Sequence, residues 1–94
     1  MGEVRVEAQV VVSGKVQGVW FRAATQAQAK AEGVSGWVRN RPDGSVEALV
    51  QGGEAAVDRL VDWMRHGPPG ARVTDIRVDR RPAGAFHEGF DIRY

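Results

Sequence analysis

The sequence contains no cysteine, so no disulfide framework can staple the chain and no thiolate is available as a nucleophile or metal ligand. Stability has to come from packing. Neither charge is in excess: thirteen Lys and Arg stand against twelve Asp and Glu, a formal charge of +1, and they are scattered rather than gathered in a run. That distribution serves bulk binding to nucleic acid poorly. No apolar stretch approaches a membrane span, and the opening Met1-Gly2-Glu3-Val4-Arg5 has no signal-like apolar segment. Val6 stands where a myristoylation motif needs Ser or Thr. The two histidines, His66 and His87, lie far apart, and nothing in the sequence gathers carboxylates around either to hold a metal. No nucleophile elbow frames a serine. At 94 residues the chain is expected to form a single domain over residues 1–94 with one modest core.

What is present is organised around Ser13-Gly14-Lys15-Val16-Gln17-Gly18-Val19-Trp20-Phe21-Arg22. Before it, Val4, Val6, Ala8, Val10 and Val12 alternate with mostly polar residues, the period of a strand with one buried face, which should end near Ser13. From about Trp20 the pattern becomes helical, with Trp20, Ala23, Ala24, Ala27 and Ala31 recurring on one side. The loop therefore leads into a helix N-terminus, where unpartnered N–H groups and the peptide dipoles favour an anion. Gly14 and Gly18 let consecutive amides curl round one oxyanion as a nest, and Lys15 adds charge at the rim. Arg22 can donate two parallel hydrogen bonds to a phosphate or carboxylate. On spacing alone, an anion site and a plain connecting turn with a solvated arginine both remain open. Val16 follows Gly14-Lys15 where a nucleotide P-loop needs Ser or Thr, and no dinucleotide fingerprint is present.

The rest of the chain reads as support. Gly36 to Arg41 is rich in strand formers, Pro42-Asp43-Gly44 supplies a tight turn, and Val46, Ala48 and Val50 give the return strand an apolar face. Gly52-Gly53 should break that strand. Val57, Leu60, Val61 and Met64 then fall at i, i+3, i+4 and i+7, a helix that Gly67-Pro68-Pro69-Gly70 must end. Val73, Ile76 and Val78 mark a less regular fourth strand, and Phe90, Ile92 and Tyr94 alternate in a short terminal one. The order predicts an α+β, ferredoxin-like βαββαβ sandwich: a mostly antiparallel sheet with two helices on one face, the other face toward water, and a short fifth C-terminal strand.

Two of these stretches carry a resemblance. Gly14-Lys15-Val16-Gln17-Gly18-Val19-Trp20-Phe21-Arg22 resembles the phosphate loop and arginine of the acylphosphatase family. Gly36-Trp37-Val38-Arg39-Asn40, continued through Gly44, Val46 and Gly52, resembles the family's second motif, and length and element order agree as far as the tail Phe90 to Tyr94. The resemblance implies hydrolysis of the mixed anhydride of a carboxylate with phosphate, as in acetyl phosphate or 1,3-bisphosphoglycerate, with no metal and no organic cofactor. It implies that amides over Lys15, Val16, Gln17, Gly18, Val19 and Trp20, with Arg22, bind the phosphoryl oxygens, and that Arg22 and Asn40 are catalytic, Asn40 orienting the water. Without the resemblance Asn40 reads as a strand-end residue hydrogen-bonding to a turn. Trp20 either contacts the acyl group or staples the helix to the sheet.

The expected partners are a small acyl phosphate and inorganic phosphate, as product or inhibitor, for a cytoplasmic monomer with no nucleic acid and no membrane. A noncatalytic anion-binding module would keep the same loop. The same element order also builds the RRM, but Ser45 to Gln51 holds none of the stacking aromatics that RNA recognition requires there.

Overall fold

The computed structural model describes residues 4–94. Its elements are β1 (Arg5–Lys15), α1 (Phe21–Glu32), β2 (Ser35–Asn40), β3 (Val46–Gly53), α2 (Glu54–Met64), β4 (Arg72–Pro82) and β5 (Phe90–Arg93). The sheet runs β4-β1-β3-β2-β5. β3 is antiparallel to both β1 and β2, β4 is antiparallel to β1, and β5 lies parallel to β2. This is the ferredoxin-like arrangement expected, with β3 inserted between β1 and β2. No helix among the described residues is long and apolar enough to cross a membrane.

Register carries the alternating residues into rows. Val78, Val10, Ala48, Val38 and Ile92 stand opposite one another across the sheet. Val10, Ala48 and Val38 are fully buried and join one core with Val57, Leu60, Val61 and Met64 of α2. The stripe read from the α2 sequence therefore faces inward as expected. α1 differs. Its buried residues are Phe21, Thr25 and Ala29, at i, i+4 and i+8, while Ala23, Ala27 and Ala31 are exposed. One aromatic decides the orientation: burying Phe21 stabilises by about 1.5–3 kcal/mol, more than any alanine can. Phe21 also packs on Trp63, ring centroids 5.8 Å apart at a tilted 55°.

The strands run further than their apolar residues suggested. β3 continues through Gly52 and Gly53, which pair with Val6 and Arg5, and β1 continues past Ser13 to Lys15. The register between β1 and β4 shifts after Ser13, which faces Asp75, to Gly14, which faces Val73. Thr74 is the extra residue of a β-bulge. That bulge explains the irregular spacing of the fourth strand, because Val73 and Ile76, three residues apart, both pack against the core. Gly14 is required there: a Cβ would lie 2.2 Å from the Arg72 carbonyl oxygen, and its φ is 118°.

The second face of the sheet is only partly open to water. The connection between β4 and β5 crosses it, because those strands occupy opposite edges. Beneath the crossing lie the buried polar residues Glu7 and Gln51, with Glu47 on the same face. Glu7 Oε1 accepts from Gln51 Nε2 (2.8 Å) and the Gly84 N–H (3.1 Å), and its Oε2 accepts from Arg81 Nε (2.6 Å). Gln51 donates to the Ala85 carbonyl (2.7 Å) and accepts from the His87 N–H (3.0 Å). Hydrogen bonds from Gln51 and Arg81 hold the Glu7 carboxyl below its ordinary range. At Glu47 burial pushes the other way, but hydrogen bonds from Gln9 and Arg39 outweigh it and the net direction is again down.

Both carboxylates thus bind protons less readily folded than unfolded. The stability they contribute is complete above their unfolded value of about 4.5 and is lost as pH falls through the lowered folded values. Glu7→Gln should lower the unfolding free energy at pH 7 by about 2 kcal/mol, the scale of a charge-assisted hydrogen bond. It should also flatten the loss of stability below pH 4.5. Urea unfolding of both proteins between neutral and acid pH checks this; parallel acid limbs would show that Glu7 is not one of the titrating groups.

Candidate active site

The loop between β1 and α1 is held from several sides. Val16 (1% exposed) and Phe21 (1%) anchor it in the core, and Val19 packs against the same core and near Gly70. Gln17 reaches across to the β2–β3 turn and donates from Nε2 to the carbonyl oxygens of Arg41 (2.7 Å) and Ser45 (2.9 Å). The turn is rigid in its own right. Asp43 Oδ1 accepts from the Ser45 N–H (2.9 Å) and hydroxyl (2.5 Å), and the Arg41 N–H donates to the Ser45 carbonyl (2.8 Å). These bonds from Ser45 hold the Asp43 carboxyl below its usual range.

Between its anchors the loop turns into the left-handed region twice, at Gly18 (φ 73°) and at Trp20 (φ 65°). Among the described residues, the N–H groups of Gln17, Gly18, Val19 and Trp20 donate to no backbone acceptor outside the regular elements. Trp20 is the N-cap of α1, no side chain caps this end, and the first turn carries no acidic residue. Backbone donors and the positive end of the helix are left to whatever occupies the space in front of them.

That space is a pocket of about 320 Å³ lined by Val16, Gly18, Trp20, Phe21, Arg22, Ala23, Asn40, Ile92 and Tyr94. Asn40 reaches it because it shares the helix-covered face with Gly36 and Val38 and stands at the end of β2, opposite Val46. Its side chain makes none of the turn's hydrogen bonds; Asp43 and Gln17 supply those. Arg22, in the first turn of α1, places its guanidinium 4.9 Å from the Tyr94 ring centroid. None of the ion pairs among the described residues involves it. No lining residue carries a carboxylate side chain. Among the described residues, no three His, Asp or Glu side chains form a group that could hold a metal ion.

The structure thus brings Arg22, Asn40, Val16, Gly18 and Trp20 together and distributes the other expected loop residues differently. Lys15 is exposed and pairs with Arg72 at the end of β1, Gln17 turns to the hairpin, and Val19 turns to the core. Trp20 does not staple the helix to the sheet: its side chain is 82% exposed, and Phe21 takes the anchoring role. Ile92 and Tyr94 join the pocket although sequence reasoning read them only as strand residues. Their alternation with Phe90 was the available signal, but the parallel pairing with β2 that brings them beside Asn40 is not local in sequence.

The fold and site together define a small α+β sandwich in which the loop before α1 and the amide that ends β2 line one open pocket. The sequence model described as Acylphosphatase matches residues 8–92. An acylphosphatase of Gloeobacter violaceus is 58% identical over 83 residues, covering 87% of this chain and 89% of that one. One of Haloquadratum walsbyi is 50% identical over 94 residues, 99% of each. The crystal structure of acylphosphatase from Bacillus subtilis matches with a TM-score of 0.91 at 39% identity, covering 95% of this chain and 99% of that chain. The chain belongs to the acylphosphatase family.

Gln17 carries the tie between loop and hairpin, so Gln17→Ala should lower the unfolding free energy by about 1–3 kcal/mol, the sum of two hydrogen bonds. It should also weaken phosphate binding, measured by titration calorimetry. An unchanged denaturation midpoint would mean that the two bonds contribute nothing net.

Proposed function

We propose that this chain hydrolyses the carboxyl–phosphate anhydride of small acyl phosphates, releasing a carboxylate and inorganic phosphate, with no metal or organic cofactor. The observation that carries the reading is the convergence of Arg22, Asn40 and the loop around Gly18 on one pocket whose lining includes no Asp or Glu side chain. A phosphoryl group there faces the Arg22 guanidinium with no acidic side chain among the lining residues.

The backbone N–H groups between Lys15 and Trp20 and the Arg22 guanidinium bind the phosphoryl oxygens and stabilise the charge redistributed over them during transfer. The Asn40 carbonyl oxygen accepts a hydrogen bond from the attacking water and sets it in line with the leaving carboxylate. An amide is too weak a base to keep the proton, which passes to a phosphate oxygen of the substrate as the new P–O bond forms and the anhydride P–O bond breaks. The leaving carboxylate is stable as an anion, so no general acid is required. The even scatter of charge and the absence of cysteine suit a cytoplasmic monomer acting on a small molecule, with inorganic phosphate competing for the loop as product.

The test is hydrolysis of acetyl phosphate in excess EDTA, run beside two variants and a phosphate titration of each. Asn40→Ala should lose about 100- to 1,000-fold in turnover, the range for removing one preorganised polar group, while still binding phosphate. Arg22→Ala should lose both affinity and turnover. A parent protein that binds phosphate and turns nothing over would sink the hydrolytic reading, and an Asn40→Ala variant as fast as the parent would remove Asn40 from the mechanism.

A further inference from the structure

We infer that Trp20 sets the acyl-group preference of this pocket, its indole forming the wall against which an aromatic acyl group is held; the inference rests on acyl phosphate hydrolysis as proposed above. Trp20 is the only non-glycine residue among those described with a positive φ, at 65°. Glycine adopts that conformation freely, whereas a side chain there is strained. The strain is not offset by packing. The indole is 82% exposed, and Trp20 takes part in none of the aromatic or cation–π contacts among the described residues. The other two tryptophans do: Trp63 packs on Phe21, and Trp37 lies under Arg93 and Arg39. Judged by stability alone, glycine is the better residue at position 20, which leaves the pocket as the place where this indole acts.

Position within the pocket says which part of the substrate it meets. The phosphoryl group is taken by the loop amides and Arg22. In-line attack by a water on Asn40 sends the leaving carboxylate away from β2. Ile92 stands on β5, paired with β2, and Tyr94 just beyond its end lies against Arg22, so both are on the β2 side of the pocket. Trp20 stands on the loop instead, large and exposed, with no aromatic or cation–π partner among the described residues. An aromatic acyl group can stack on it or meet it edge to face, whereas an acetyl group offers it a single methyl.

The experiment compares kcat/KM for benzoyl phosphate and acetyl phosphate in the parent, Trp20→Gly and Trp20→Phe. In Trp20→Gly the benzoyl-to-acetyl ratio should fall about 3- to 10-fold, the range of one aromatic pair; the ratio is the readout, because a glycine also loosens the loop backbone and can lower the rate on both substrates. Trp20→Phe should keep most of the ratio. Urea unfolding of Trp20→Gly should give a midpoint at or above the parent's, since strain is relieved and no packing is lost. An unchanged ratio with both substrates turned over would overturn the assignment and leave the hydrolytic function standing. Equal losses on both substrates would also overturn it, making Trp20 a positioning residue of the loop. A parent inactive on both would remove the hydrolytic reading itself, and this inference with it.

Discussion

The register of β3 between β1 and β2 is the constraint on which the site depends. Val12 faces Val46 on one side, and Asn40 faces Val46 on the other, so the ends of β1 and β2 come out side by side. The loop that leaves β1 and the amide that ends β2 are thereby neighbours. Slipping β2 by one residue would turn Asn40 to the far face and expose Val38 in place of Arg39. The buried row from Val10 through Ala48 to Val38 opposes that slip, because the residues that make the core are the ones that set the aim of Asn40. Gln17 locks the remaining freedom, binding the loop to the two carbonyls that flank the turn beyond Asn40.

A nearly neutral chain can still present a strongly biased pocket if its charges are sorted. The first turn of α1 contains no acidic residue, whereas α2 begins with Glu54. The dipole of α1 is left uncompensated beside the pocket, whereas that of α2 is met by Glu54. The two buried carboxylates, Glu7 and Glu47, lie on the opposite face of the sheet, each matched by an arginine, Arg81 and Arg39. Hydrogen bonds from Gln51 and Arg81 at Glu7, and from Gln9 and Arg39 at Glu47, depress their proton affinities, so both carboxylates stabilise the fold from the face away from the pocket.

Alternation and stripe were legible wherever the side chains were large enough to decide. Val10, Val12, Val46, Val50, Leu60 and Met64 all lie where their spacing put them. α1 was misread because alanine is accepted equally by core and solvent, so a row of alanines has little power to say which way a helix faces. The single Phe21 had that power and stood outside the stripe. The polar face of the sheet was read as solvated because Glu7 and Gln51 find their partners at Arg81, Gly84, Ala85 and His87, more than thirty residues away in the chain. Arg22 and the loop could be read locally. Asn40 could be read only through its motif, and Ile92 and Tyr94 not at all, since a parallel pairing between β2 and β5 leaves no trace in the spacing of either strand.

The proposed chemistry makes small demands on functional groups and large ones on position. With a carboxylate leaving and a phosphate oxygen taking the proton, neither a strong base nor a strong acid has to be built, and a chain without cysteine suffices. What has to be built is an environment already arranged for the charge of the transition state, because donors that must reorganise lose much of their advantage. The loop meets that demand through anchors on four sides: the bulge at Gly14 against β4, Val16 and Phe21 in the core, Gln17 on the hairpin, and Val19 against the segment before β4. Between these anchors the backbone enters the left-handed region at Gly18 and Trp20, and both residues line the pocket. Strain persists where surrounding structure over-determines it. In a domain this small, four anchors on a loop of a few residues are what allow a tryptophan to occupy a conformation suited to glycine.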